Sequence, residues 1–181
     1  MYRDTITYKG TIVFDPDHKT KKHEAQGSWK RVAMLFLYGD LCQYYGWFIE
    51  KRYGLPLVAP LRKAHITFIN DRESDTNGKW EEVKAKWNNK TIEVVLSLDV
   101  RTDAAYWWLV VPEEERGQLH GIRAELGLGR PYFGLHMTVG YPIDCYDKGE
   151  PDNSALRAKR MNEEHSRYIH ELIKKEERYE N

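Results

Sequence analysis

Val32 to Tyr38 reads VAMLFLY, an apolar run with no charge and no turn-forming residue. A strand with one wet face would alternate apolar and polar positions, so an unbroken run predicts a strand buried on both faces. Such a strand belongs inside a sheet covered by helices, which excludes an all-helical plan and argues against an open all-β one.

The rest of the chain supplies the covering layers. Tyr8 to Phe14 (YKGTIVF) predicts a second strand, joined to the first through a polar loop, Asp15 to Ser28, that carries Pro16 and Gly27. Gly39-Asp40 opens a helix with Asp40 as N-cap, running to about Tyr53 and stopped by Gly54 and Pro56. Leu41, Tyr44, Tyr45, Phe48 and Ile49 recur at helical spacing and are expected to face the sheet. Lys63 to Ile69, Thr91 to Leu98, Tyr106 to Val111 and Leu135 to Tyr141 are rich in β-branched and aromatic residues and predict four more strands. Asp71 to Gly78 is a charged turn, and Lys79 to Trp87 predicts a short helix. Pro112 suits the first turn of a helix whose Glu113, Glu114 and Glu115 complement its dipole, and which should end near Leu126-Gly127. Residues 153–178 predict a long polar helix with His165, Tyr168, Ile169, Leu172 and Ile173 on the stripe that docks. The expectation is one α+β domain over residues 1–181, with residues 1–28 forming an N-terminal strand and loop.

Charge and composition narrow the function. The 28 basic and 28 acidic residues cancel, which argues against a protein that coats long nucleic acid and leaves room for a small anionic ligand. An apolar share of 41%, with six Trp, twelve Tyr and five Phe, excludes a disordered chain. No apolar run reaches the roughly 18–20 residues of a membrane span, and Met1-Tyr2-Arg3-Asp4 does not open a signal peptide. Cys42 and Cys145 form no CxxC pair and read as reduced thiols. A cytoplasmic protein with no membrane partner is expected, and nothing in the sequence specifies its oligomeric state.

The chemistry resides in His65-Ile66-Thr67 and His136-Met137-Thr138. Random placement of the chain's histidines and threonines would give about 0.35 His-x-Thr triplets, so context decides their meaning. A third copy, His18-Lys19-Thr20, sits in the polar loop, where alternation cannot aim its side chains, and it is assigned no role. The other two lie inside predicted strands, where residues two apart project from one face. On that rule Lys63 shares the face of His65, while Tyr132, Gly134 and Gly140 share that of His136, the glycines leaving room for a ligand. An imidazole and a hydroxyl, presented twice, suit a phosphate ester. One His removes a proton from the attacking oxygen, the other protonates the leaving oxygen, and the hydroxyls bond the non-bridging oxygens. There is no HExxH and no His/carboxylate cluster, so neither a metal nor another cofactor is expected.

With AHITFI and LHMTVGY about 70 residues apart and helices and strands of suitable order between them, the chain resembles the two-histidine (2H) phosphoesterases of the RNA ligase/cyclic phosphodiesterase type. The resemblance covers roughly residues 30 to 141. It implies a bilobal fold with two mixed or antiparallel sheets around a central cleft, helices outside and pseudo-twofold symmetry. It further implies metal-independent cleavage of phosphodiester or cyclic phosphate bonds, with His65 and His136 as the acid/base pair and Thr67 and Thr138 on the phosphate. The compact size is similar to that of phage-encoded members that degrade cyclic di- and trinucleotide immune signals (anti-CBASS enzymes), which would act in the host cytoplasm.

A nucleotide substrate needs flat surfaces and cations. Trp29, Tyr106, Trp107, Trp108, Tyr132 and Tyr141 are the candidates for stacking, Tyr132 foremost, and Lys63 for phosphate charge. Two intact acid/base motifs favour a hydrolase of small cyclic nucleotides or oligonucleotides. The alternatives are a 2′,3′-cyclic phosphodiesterase or 2′-5′ ligase acting on RNA ends, and a nucleotide-sequestering module without turnover.

Overall fold

Alternating burial runs through most strands of the protein and gives the sheet one face packed under helices and one half-exposed face. The structure, a computed structural model, describes residues 4–16, 31–60, 62–71, 74–102, 106–131 and 134–142. Trp29, Tyr132, Cys145, the third motif copy at His18 and the helix expected over 153–178 lie outside the described residues.

In chain order the elements are β1 (Thr5–Phe14), β2 (Ala33–Leu37), α1 (Leu41–Tyr53), β3 (Leu57–Val58), β4 (His65–Ile69), α2 (Trp80–Trp87), β5 (Thr91–Ser97), β6 (Arg101–Thr102), β7 (Trp107–Val110), α3 (Gly117–Glu125) and β8 (His136–Pro142). The α+β expectation holds. The two separate sheets do not: the strands form one eight-stranded sheet in the order β5-β1-β2-β4-β8-β7-β6, with β3 pairing onto β8. Every strand pairing among the described residues is antiparallel. Ile66 on β4 pairs with Met137 on β8, and this seam makes the sheet continuous.

Two β-α-β units meet at that seam. α1 follows β2 but packs on β8, and α3 follows β7 but packs on β4, so each helix covers the strand of the other unit. Ile66, Phe68, Met137 and Val139 project into the core beneath these helices, together with Leu35 and Leu109. Burial of such side chains stabilises the fold by about 1.5–3 kcal/mol each.

The local chemistry of the helices departs from expectation in three places. Asp40 occupies the N-cap position of α1 without a side-chain capping bond, because its backbone (φ −107°, ψ 51°) lies outside the extended region a capping residue uses. Leu41, Cys42, Tyr45 and Ile49 make the buried stripe of α1, whereas Tyr44 is 58% exposed and stands edge-on to Tyr45, 5.2 Å between centroids. The helix expected from Pro112 is interrupted. Glu113–Glu115 make a single 3-10 turn, and Arg116 (φ −82°, ψ −4°) folds its side chain back to donate from Nε to the Val111 carbonyl at 2.7 Å before α3 begins at Gly117. Both helix stops are as expected, with Gly54 (φ 67°) and Gly127 (φ 73°) in the left-handed region.

Arg123, on α3, is 1% exposed and binds three segments at once. It forms a bidentate pair with Asp71 (2.7 and 2.9 Å) and donates to the carbonyls of Phe68 (2.7 Å) and Gly129 (2.8 Å). The end of β4 is thereby fixed to the segment that leads into β8.

Candidate active site

At the seam, Ile66 and Met137 are fully buried while His65, Thr67, His136 and Thr138 sit half-buried on the opposite face. The antiparallel Ile66–Met137 register sets His65 beside Thr138 and Thr67 beside His136. The two imidazoles are then diagonal neighbours, with α-carbons about 7–8 Å apart. Residues 71 positions apart in the chain thus share one patch of sheet, and the two motifs run past each other head to tail.

Both rings are held in the same way. His65 Nδ1 donates to the carbonyl of Lys63 at 2.7 Å, and His136 Nδ1 donates to that of Gly134 at 2.8 Å, each two residues upstream. A carbonyl can only accept, so Nδ1 carries the hydrogen and, in the neutral ring, the lone pair lies on Nε2. Burial lowers the His65 pKa below the ordinary imidazole value; the Lys63 carbonyl opposes this, and the positive field of Arg62 and the presence of His136 add to the lowering. The shift favours the neutral ring of His65, whose unprotonated Nε2 is the form a proton acceptor needs.

Aromatic rings flank the pair unevenly. Phe36, opposite His65 in the β2–β4 register, lies 5.7 Å from its ring. Around His136 stand Tyr106 at 5.8 Å and Trp108 at 6.4 Å, with Tyr106 in turn 4.7 Å from Trp108 and 6.4 Å from Tyr141. Tyr106, Trp108 and Tyr141 are all half-buried.

Several expected contacts are corrected by these positions. Trp107 is 3% exposed and packs on Tyr53 at 5.5 Å in the core; Trp108, which pairs with Thr138, is the tryptophan on the histidine face. Register is the cause: Trp108 opposes Thr138 and shares its face, and Trp107 alternates to the other; Trp107 then opposes Gly140, which leaves Val139 as an extra residue, a bulge, in β8. The same bulge reverses the alternation and returns Tyr141 to the half-exposed face. Gly140 leaves no room for a ligand, because a Cβ there would lie 2.9 Å from the Val58 carbonyl and 3.0 Å from Leu57. Gly134 is exposed, with the Arg116 guanidinium beside it, 3.4 Å from where a Cβ would be.

Lys63 precedes β4, is exposed, and contributes its carbonyl to His65. Its side chain lines a cavity of about 930 Å³ between α1 and residues 57–64, and neither histidine is among the lining residues of that cavity. Among the described residues, no three His, Cys, Asp or Glu side chains are grouped to hold a metal ion, and no helix is long and apolar enough to cross a membrane.

Sequence reasoning missed Phe36 and the two anchoring carbonyls. Alternation from the paired strand could have flagged Phe36; the carbonyls carry no side-chain signal, although Lys63 and Gly134 stand at the same offset from their histidines. No model of a known protein family, no curated protein and no solved structure matches the chain.

Proposed function

We propose that the protein is a phosphodiesterase of the two-histidine type, cleaving small cyclic nucleotides or oligonucleotides without a metal ion. The observation that carries this reading is the pair of diagonal imidazoles, each anchored through Nδ1 on a carbonyl two residues upstream, with a Thr hydroxyl beside each ring. A binding module has no use for two proton carriers anchored in this matched way.

In the proposed reaction His65 Nε2 accepts the proton of the attacking oxygen as that oxygen bonds to phosphorus. The bond from phosphorus to the leaving oxygen breaks, and protonated His136 gives its Nε2 proton to that oxygen. His65 takes the basic role because its environment favours the neutral ring. Thr67 and Thr138 donate hydrogen bonds to the non-bridging oxygens as negative charge builds there. Tyr106 and Trp108 give a base a surface on which to stack. The two β-α-β units that exchange helices across the seam support the bilobal two-histidine plan, with the half-exposed face of β4 and β8 as its cleft.

The test is incubation with cyclic dinucleotides, cyclic trinucleotides and 2′,3′-cyclic nucleotides, each in the presence of EDTA, with products resolved by chromatography. Cleavage that survives EDTA is expected. Turnover of only 2′,3′-cyclic ends would move the assignment to RNA-end processing. Activity lost to EDTA and restored by a divalent ion, or no turnover of any substrate, would overturn it.

A further inference from the structure

The cavity between α1 and the segments 57–60 and 62–64 has neither histidine in its lining. Gln43, Gly46, Trp47 and Glu50 recur at helical spacing and turn one face of α1 toward it, a face distinct from the buried stripe of Leu41, Tyr45 and Ile49. Gly46 is a weak residue for the middle of a helix. It is not there for close packing, since a Cβ at this position would have no atom within 4 Å. Its effect is to leave the cavity open next to Trp47, whose ring is 57% exposed.

The walls differ in charge. α1 and the residue before it bring the carboxylates of Glu50 and Asp40, while Arg62 and Lys63 bring cations from the opposite side. Val139 and Cys42 belong to the lining on the helix-covered side of the sheet, and the Cys42 thiol donates to the Thr138 carbonyl at 3.5 Å. We infer that this cavity binds a nucleoside monophosphate, with its base over Gly46 against Trp47 and its phosphate on Lys63 and Arg62. The carboxylates of Glu50 and Asp40 accept hydrogen bonds from base amino or ribose hydroxyl groups. A volume of about 930 Å³ accommodates a ligand of that size. The inference does not depend on the phosphodiesterase reading, since neither histidine lines the cavity, although Arg62 and Lys63 also adjoin His65.

The experiment is calorimetric titration of the full chain with adenosine 5′-monophosphate, on the wild type and on Gly46→Leu, Trp47→Ala and Trp108→Ala. Gly46→Leu fills the opening and Trp47→Ala removes the stacking surface, and each should weaken binding by roughly tenfold or more. Trp108→Ala, beside His136, removes any component held at the histidine face and should leave the cavity component within about twofold of wild type. If circular dichroism shows that Gly46→Leu does not fold, the exposed Trp47→Ala decides alone. Binding that is undetectable in the wild type, unchanged in Trp47→Ala, or lost only in Trp108→Ala would overturn the inference.

Discussion

Ile66 and Met137 face each other across the seam between β4 and β8, each without exposed surface, and each lies between the His and the Thr of its own motif. The apolar middle residue of each His-x-Thr therefore has a structural duty that the flanking residues do not share. It anchors the strand in the core beneath, and the register it sets determines which hydroxyl each imidazole meets.

Met137→Ala should destabilise the protein by about 2–5 kcal/mol, since the side chain is fully buried. Urea denaturation monitored by circular dichroism measures this directly. A loss below about 0.5 kcal/mol would mean that the seam is not packed as described.

His65→Ala and His136→Ala should each lower kcat by a factor of about 10²–10⁴, with the fold retained. Both rings are half-exposed on the open face, so their removal creates no core cavity. Near-wild-type turnover in either variant would remove that histidine from the reaction.

Much of this arrangement is legible in the sequence, and the remainder has identifiable causes. β4 and β8 are legible because a His and a Thr two apart on a strand leave one face together, whatever the partner strand. The face of the YWWLVV run is not, because both phases are apolar or aromatic and the choice between Trp107 and Trp108 is made by the register that sets Trp108 opposite Thr138 in another strand. β3 and β6 are two residues each, too short for alternation to register. The union of the halves into one sheet rests on the Ile66–Met137 pair, which local patterning does not encode. The broken helix at Arg116 depends on a side chain folding back onto Val111 rather than on propensity.

The depressed pKa of His65 fixes the direction of the pH dependence. A base that must be neutral loses activity when it is protonated, so the acid limb of kcat/KM should fall below pH 6.5, the ordinary imidazole value. The same shift links to stability. Its contribution is present above the ordinary value and is lost as the pH falls through the lower folded value, because the unfolded chain binds the proton more readily. A rate profile over pH 4–9 provides the check, with Arg62→Ala expected to move the acid limb toward higher pH by removing a positive charge that disfavours protonation.

Trp107 and Trp108 should respond in opposite ways to the same substitution. Trp107→Ala empties a buried site against Tyr53 and should cost about 3–5 kcal/mol of stability. Trp108→Ala should leave stability within about 1 kcal/mol and raise KM for a nucleotide substrate. Parallel melting curves and Michaelis plots separate the two; equal loss of stability would place both rings in the core.

Arg123 and Asp71 test whether the segments leading out of β4 and into β8 are held by charge or by packing. The Arg123 side chain is 2% exposed and that of Asp71 31%, so the arginine is the partner that cannot be hydrated alone. Asp71→Ala leaves that charge buried without a counter-ion and should cost about 3–5 kcal/mol. Adding Arg123→Met removes the stranded charge while its apolar chain fills part of the volume. The double variant should therefore be more stable than Asp71→Ala alone, although the carbonyls of Phe68 and Gly129 lose their donor. Denaturant midpoints for the two single variants and the double variant give the coupling. A double variant less stable than Asp71→Ala would show that Arg123 holds these segments mainly through the two carbonyls.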